Sequence, residues 1–257
     1  MCVQGCVFTS LHTVVFMRLI FGLIAALTMV SAAAEPPTSF SSAKKILSRD
    51  LYPSDDRVTF YCGCRFDEQP VPNKPGRTRL TPVADSCGLQ PRKNANRAAR
   101  IEWEHVVPAW EFGHQLQCWQ EGGRKGCHKD DVFKAMEADL YNLVPAVGEL
   151  NGDRSNFRFG MIAGEPRAYG ACDFEVDFKQ RVAEPPEQVR GDIARTYFYM
   201  EDRYGLEISR KQRQLFEAWS RQDPVDEAEQ RRAQRIAAIQ GHANPFVEPK
   251  VMQAAGH

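Results

Sequence analysis

No excess of either charge sign is present in this 257-residue chain, where 33 Lys and Arg stand against 33 Asp and Glu. That balance excludes a uniformly basic nucleic-acid binder and leaves local clustering of Lys and Arg as the source of any phosphate affinity. Several common catalytic signatures are missing too. There is no Gly-x-Ser-x-Gly elbow, no His-Glu-x-x-His, no P-loop and no dinucleotide fingerprint. Serine hydrolase, zincin, kinase and dehydrogenase chemistry therefore lose their support. No repeat and no Gly/Ser linker divides the chain after its first 34 residues. What is present is an ordinary globular composition, 43% apolar and 10% aromatic, which excludes wholesale disorder.

From Met17 the chain reads Met-Arg-Leu-Ile-Phe-Gly-Leu-Ile-Ala-Ala-Leu-Thr-Met-Val and then Ser31-Ala32-Ala33-Ala34. One cation, an apolar stretch of about a dozen residues and a small-x-small site form a secretory signal peptide. A membrane anchor would need about 20 apolar residues, and the Ala-x-Ala step before Glu35-Pro36-Pro37 favours cleavage. Residues 1–16 read as an upstream extension. The expected domains are thus residues 1–34, removed on export, and one mature domain, residues 35–257, periplasmic or secreted and free of the membrane after cleavage. Cys2 and Cys6 leave with the signal. Six of the eight cysteines remain, Cys62, Cys64, Cys87, Cys118, Cys127 and Cys172, an even number in a compartment where disulfides persist. A zinc site at Cys62-Gly-Cys64 or Cys127-His128 lacks the usual spacers, so three disulfides are expected.

The pattern predicts a short helix over Ser42 to Leu51 with Ile46 and Leu47 inward, and a strand over Arg57 to Phe66. Asp130 is expected to cap a helix running to about Asn142, with Phe133, Met136 and Leu140 on one face. Cys172, Phe174, Val176 and Phe178 alternate with acids and predict a half-buried strand. The last third predicts helices. One carries Ile193, Tyr197, Met200 and Tyr204, one follows Ser209 with Leu215, Phe216 and Trp219, and one runs from Asp223-Pro224 to Gly241. The expected class is a single mixed α+β domain.

Two features bear on chemistry. Lys74, Arg77, Arg79, Arg92, Lys93, Arg97 and Arg100 face one acid, Asp85, in the most basic segment, a local charge of +6; alone it reads better as a solvated loop. In Arg100-Ile-Glu-Trp-Glu104-His105-Val-Val-Pro108-Ala-Trp110 a carboxylate and an imidazole adjoin at the end of an extended segment closed by proline. Phosphodiester hydrolysis needs a base for water, a hard cation, and positive charge on the flanking phosphates. Glu104 and a second oxygen ligand could hold Mg²⁺, and His105 could take the proton. In a regular strand residues 104 and 105 point to opposite faces, so both serve one site only if the strand bends or ends there. The second ligand is sought in the polar run from Asp139 to Asn156, where Asn142, Asn151 and Asn156 remain open, each also readable as a turn or cap residue.

Glu-Trp-Glu104-His105-Val-Val-Pro-Ala-Trp, Phe112-Gly-His114-Gln, Gln117-Cys-Trp-Gln-Glu-Gly-Gly-Arg124-Lys and Asn142-Leu-Val-Pro145-Ala-Val-Gly148-Glu-Leu-Asn151-Gly-Asp-Arg154-Ser-Asn together resemble the bacterial endonuclease I family of exported, non-specific nucleases. The resemblance runs from about Thr59 to about Pro245. It implies a ββα-metal (His-Me finger) core, stapled by disulfides. Carried over residue by residue, it implies Glu104 and Asn151 as ligands of a single Mg²⁺, for which other divalent cations could substitute. It implies His105 as general base, Arg124 as a contact to the cleaved phosphate, and Asn142 as a residue orienting the histidine or a metal water. Arg77, Arg79, Arg92, Lys93, Arg97, Arg100 and Arg154 are the candidate contacts to nucleic acid. The implied protein is a monomer cleaving DNA, and also RNA, without sequence specificity. A ribonuclease-preferring member and a silent, disulfide-stapled nucleic-acid-binding module are the alternatives. Cys118 and Cys127 enclose a short Gly-rich loop and should pair; the order of the other four is taken as Cys64 with Cys87 and Cys62 with Cys172.

Overall fold

Ser39 caps α1 (Phe40–Ile46): its hydroxyl accepts the Ser42 amide while the Ser42 hydroxyl accepts the Ser39 amide. This computed structural model describes residues 35–164 and 167–248, so the expected signal peptide lies outside the described residues. A π-helical turn, Leu47–Leu51, continues α1, and Ile46 and Leu47 are buried as expected. β1 (Phe66–Pro70) and β2 (Thr78–Pro82) form an antiparallel hairpin. After α2 (Ala95–Ala98) come β3 (Ile101–His105), α3 (Ala109–Gly113), α4 (Gln117–Cys127) and α5 (Asp131–Ala138).

β4 (Leu143–Val147) then returns antiparallel to β3, with His105 opposite Leu143 and Ile101 opposite Val147. All five β4 residues are buried, which accounts for their unbroken apolar run. α6 (Gly148–Arg154) follows β4 with no linker, and the Gly148 amide donates to the Arg100 carbonyl at the far end of β3. β5 (Arg158–Phe159), β6 (Glu175–Asp177) and β7 (Val182–Glu184) make a small sheet with β7 central, parallel to β5 and antiparallel to β6. The helices α7 (Arg190–Tyr204), α8 (Arg210–Gln222) and α9 (Glu227–Gln240) complete the described chain. Ile193, Tyr197 and Met200 of α7 pack into the core with Phe216 and Trp219 of α8. The described residues belong to one compact unit of mixed helix and strand, in agreement with the α+β expectation. Among them no helix is long and apolar enough to cross a membrane.

Among the described residues the disulfides are Cys62–Cys172, Cys64–Cys87 and Cys118–Cys127, the expected pairing. They also explain the main departure from expectation. Arg57 to Phe66 is not a strand, because Cys62 and Cys64 are tied to distant partners on either side of Gly63, whose φ of 63° turns the chain. Only a bridge from Val58 to Arg65 remains of the pairing. The helix capped by Asp130 stops at Ala138 because Asp139 leaves it, extended, to accept hydrogen bonds from Tyr199 and Tyr204. The alternation from Cys172 fails in its middle and at its far end. Phe178 is exposed and Glu175 is buried, since three-residue β6 is pressed against the fully buried β7. The last helix starts after Asp226, not Asp223, whose carboxylate instead accepts the Gly191 amide at the start of α7.

Candidate active site

β3 ends at His105, and the chain turns before Pro108 caps α3. Glu104 and His105 can therefore face one space. Both line a cavity of about 750 Å³, together with Arg97, Arg100, Arg124 and Asn151. α6 carries Asn151 to the opposite wall, and its two glycines allow the close approach. A Cβ on Gly152 would lie 1.9 Å from Arg97 Nη1, and one on Gly148 would lie 2.6 Å from the Arg97 carbonyl oxygen.

His105 is 9% exposed and packs beside Phe40, with ring centroids 4.7 Å apart. Its Nε2 lies 2.8 Å from the Glu137 main-chain oxygen. A carbonyl can only accept, so Nε2 carries the proton and the lone pair is on Nδ1. Burial, with the Arg124 and Arg154 charges adding to it, pushes the imidazole down to about 4, although the Glu137 contacts favour the charged form. The ring is neutral, a proton acceptor, at physiological pH. The Glu137 carboxylate meanwhile accepts Arg124 Nε at 3.0 Å and Nη2 at 2.6 Å, so one residue anchors both the imidazole and the guanidinium. Arg124 follows a break in α4 at Gly123, which takes φ 57°, a left-handed conformation that favours glycine.

Glu104 is 3% exposed. Burial pushes its carboxyl up to about 7, against the opposing pull of Arg154. Its Oε1 accepts Arg154 Nη1 at 2.7 Å and the Tyr61 hydroxyl at 3.4 Å, while its Oε2 takes no hydrogen bond among the described residues. Asn151 Nδ2 donates to Glu102 Oε2 at 2.9 Å, and its Oδ1 takes no hydrogen bond among the described residues. A free carboxylate oxygen and a free amide oxygen on one cavity suit a hard cation that keeps most of its shell for water and substrate. Among the described residues no three His, Cys, Asp or Glu side chains cluster to make a fuller cage.

Two of the sequence-predicted residues are buried. Arg154 stands in the cavity wall with its side chain wholly buried, donating to Glu104, to the His105 carbonyl and to the Val106 carbonyl, where it serves as an internal counter-ion. Asn142 is also fully buried, and its amide both accepts the Val107 N–H and donates to the Val107 carbonyl. It fixes the turn that follows His105 and does not line the cavity. Of the basic segment, Arg97 and Arg100 line the cavity, both paired with Glu102. Arg92 pairs with Asp153, and exposed Lys93 sits in a stretch whose backbone N–H groups are held by Glu149. Arg77 and Arg79 belong to the β1–β2 hairpin and do not line the cavity. Sequence reasoning missed Glu102, Glu137, Tyr61 and Lys44. For Glu102 a signal existed, since two residues before Glu104 on a strand is the same face.

These features define a disulfide-bonded α+β protein with a polar cavity on a strand–strand–helix unit. The Endonuclease I family model matches residues 40–250, and the chain belongs to that family. An extracellular deoxyribonuclease of Aeromonas hydrophila is 52% identical over 226 residues, covering 88% of this chain and 94% of the relative. A periplasmic deoxyribonuclease of the same organism is 53% identical over 216 residues, covering 84% and 87%. Endonuclease-1 of Buchnera aphidicola is 48% identical over 192 residues, covering 74% and 73%.

Proposed function

We propose that the protein is an exported, Mg²⁺-dependent endonuclease that hydrolyses phosphodiester bonds of DNA, and also RNA, without sequence specificity, and that β3, β4 and α6 are its ββα-metal core. The observation that carries this reading is the His105–Glu137 contact, which leaves a neutral imidazole nitrogen without a partner among the described residues in an arginine-lined cavity. The relatives' names, deoxyribonuclease and endonuclease, support the substrate, and their periplasmic and extracellular descriptions support export.

His105 Nδ1 takes the proton from the attacking water. Arg124, steered by Glu137, holds the phosphate through the guanidinium edge left free. Arg97 and Arg100 hold the flanking backbone. Glu104 Oε2 and Asn151 Oδ1 would hold the cation, which when bound supplies positive charge to the phosphate oxygens as the transition state forms. Arg154 keeps Glu104 in place beneath the cavity. A silent binding module needs none of this: a phosphate binder gains nothing from burying Glu104 and His105 at a desolvation cost.

Incubating plasmid DNA with the purified, oxidised protein tests the function. Fragmentation is expected with Mg²⁺ and none in excess EDTA, while gel-shift binding persists because cations contact the phosphates. Full cleavage in EDTA would contradict the metal-dependent mechanism.

A further inference from the structure

Trp110 is 47% exposed and lines the cavity beside His105 and Arg124. The family of contacts behind it is built, not incidental. The His114 ring lies 4.0 Å from it, centroid to centroid, and His114 Nδ1 donates to the Trp110 carbonyl at 2.8 Å, which fixes the ring pair one turn apart on the chain. Trp119 backs His114 at 5.0 Å and in turn meets the buried Phe133 at 6.0 Å. Gly113 makes room for this, since a Cβ there would stand 2.1 Å from Trp119 Cε3. Four aromatic rings thus lead from the core to a half-exposed indole at the mouth of a cationic cavity.

An indole left half in water beside guanidinium groups gains most from a flat, polarisable partner that brings its own phosphate. We infer that Trp110, supported by His114 and Trp119, is a stacking platform for an unpaired nucleobase next to the phosphate under attack. In an intact duplex both faces of each base are stacked on neighbours and none is available to the indole. Single-stranded or locally opened nucleic acid is then held by a base contact in addition to its phosphates. This inference rests on the nuclease reading for its ligand, but its test does not need cleavage.

Affinities are compared in EDTA for a single-stranded thymidine oligonucleotide and an abasic oligonucleotide of equal length and charge. The wild-type protein should bind the base-bearing strand at least about fivefold more tightly, the fold-change given by the weaker end of base–aromatic stacking. Trp110→Ala and Trp110→Gln should bring the two affinities together, and Trp110→Phe should keep the preference. Equal wild-type affinities, or a preference undiminished in the folded Ala or Gln variant, would overturn the platform. Failure to cut plasmid with Mg²⁺ would instead sink the nuclease reading, and the two results are read separately.

Discussion

Glu102 holds three partners with one carboxylate. Arg97 donates to both oxygens at 3.0 and 2.7 Å, Arg100 Nε donates at 2.8 Å, and Asn151 Nδ2 donates at 2.9 Å. Burial opposes its charge, but the hydrogen bonds from Arg97 and Arg100 outweigh burial and hold the carboxyl below its ordinary value. The ionised group can only accept, so it sorts the Asn151 amide: nitrogen toward Glu102, oxygen toward the cavity. Glu102 is a positioning residue in this account, acting through Asn151 and the two arginines. Glu102→Ala should raise the Mg²⁺ concentration for half-maximal cleavage by roughly 10- to 100-fold, the usual effect of removing a partner of a metal ligand. Glu102→Gln still offers a carbonyl to the amide and should recover part of the loss. An Mg²⁺ requirement unchanged in Glu102→Ala, with only the melting temperature lowered, would leave the residue a purely structural one.

Between helices, the corresponding hub is Asp139. Its carboxylate accepts the Tyr199 and Tyr204 hydroxyls from α7, each at 2.7 Å, Gln240 Nε2 from α9 at 3.1 Å and the Tyr141 amide at 2.9 Å. It stands two residues after Glu137, whose carbonyl fixes His105. Asp139→Ala strands buried donors at the end of α5, and chemical denaturation should show a loss of roughly 2–5 kcal/mol, from more than one unsatisfied group. A loss below about 0.5 kcal/mol, the range of ordinary surface substitutions, would show that the hub does not tie the helices. Such links also mark the limit of the sequence. Glu104 and His105 were legible because proline punctuation ends their strand, and Ser209 and Gly241 marked helix ends because caps act locally. The Cys118–Cys127 loop was legible for the same reason, being only 9 residues apart in sequence. The burial of Arg154 was not legible because it depends on acceptors about 50 residues away. The anchor of His105 is a main-chain carbonyl, which leaves no trace in residue type.

At the scale of the molecule, a chain with no net charge concentrates cations where phosphate would lie, with Lys44, Arg97, Arg100 and Arg124 all on one cavity. The Cys62–Cys172 bond, spanning 110 residues, ties the turn that carries Tyr61 to the segment before β6, and the Tyr61 hydroxyl reaches Glu104. Core, staples and helices thus converge on two adjacent side chains whose titrations are displaced in opposite directions, His105 down to about 4 and Glu104 up to about 7. The central claim is that His105 is the base of this site. The direct measurement sets specific activity with Mg²⁺ against thermal stability for His105→Ala and Glu104→Ala. His105→Ala should fold, bind Mg²⁺ and DNA nearly as before, and lose cleavage by at least the 10²- to 10⁴-fold typical of removing a general base. Glu104→Ala should lose both cleavage and Mg²⁺ affinity. A folded His105→Ala protein that cleaves within about tenfold of wild type, short of that range, would contradict the account.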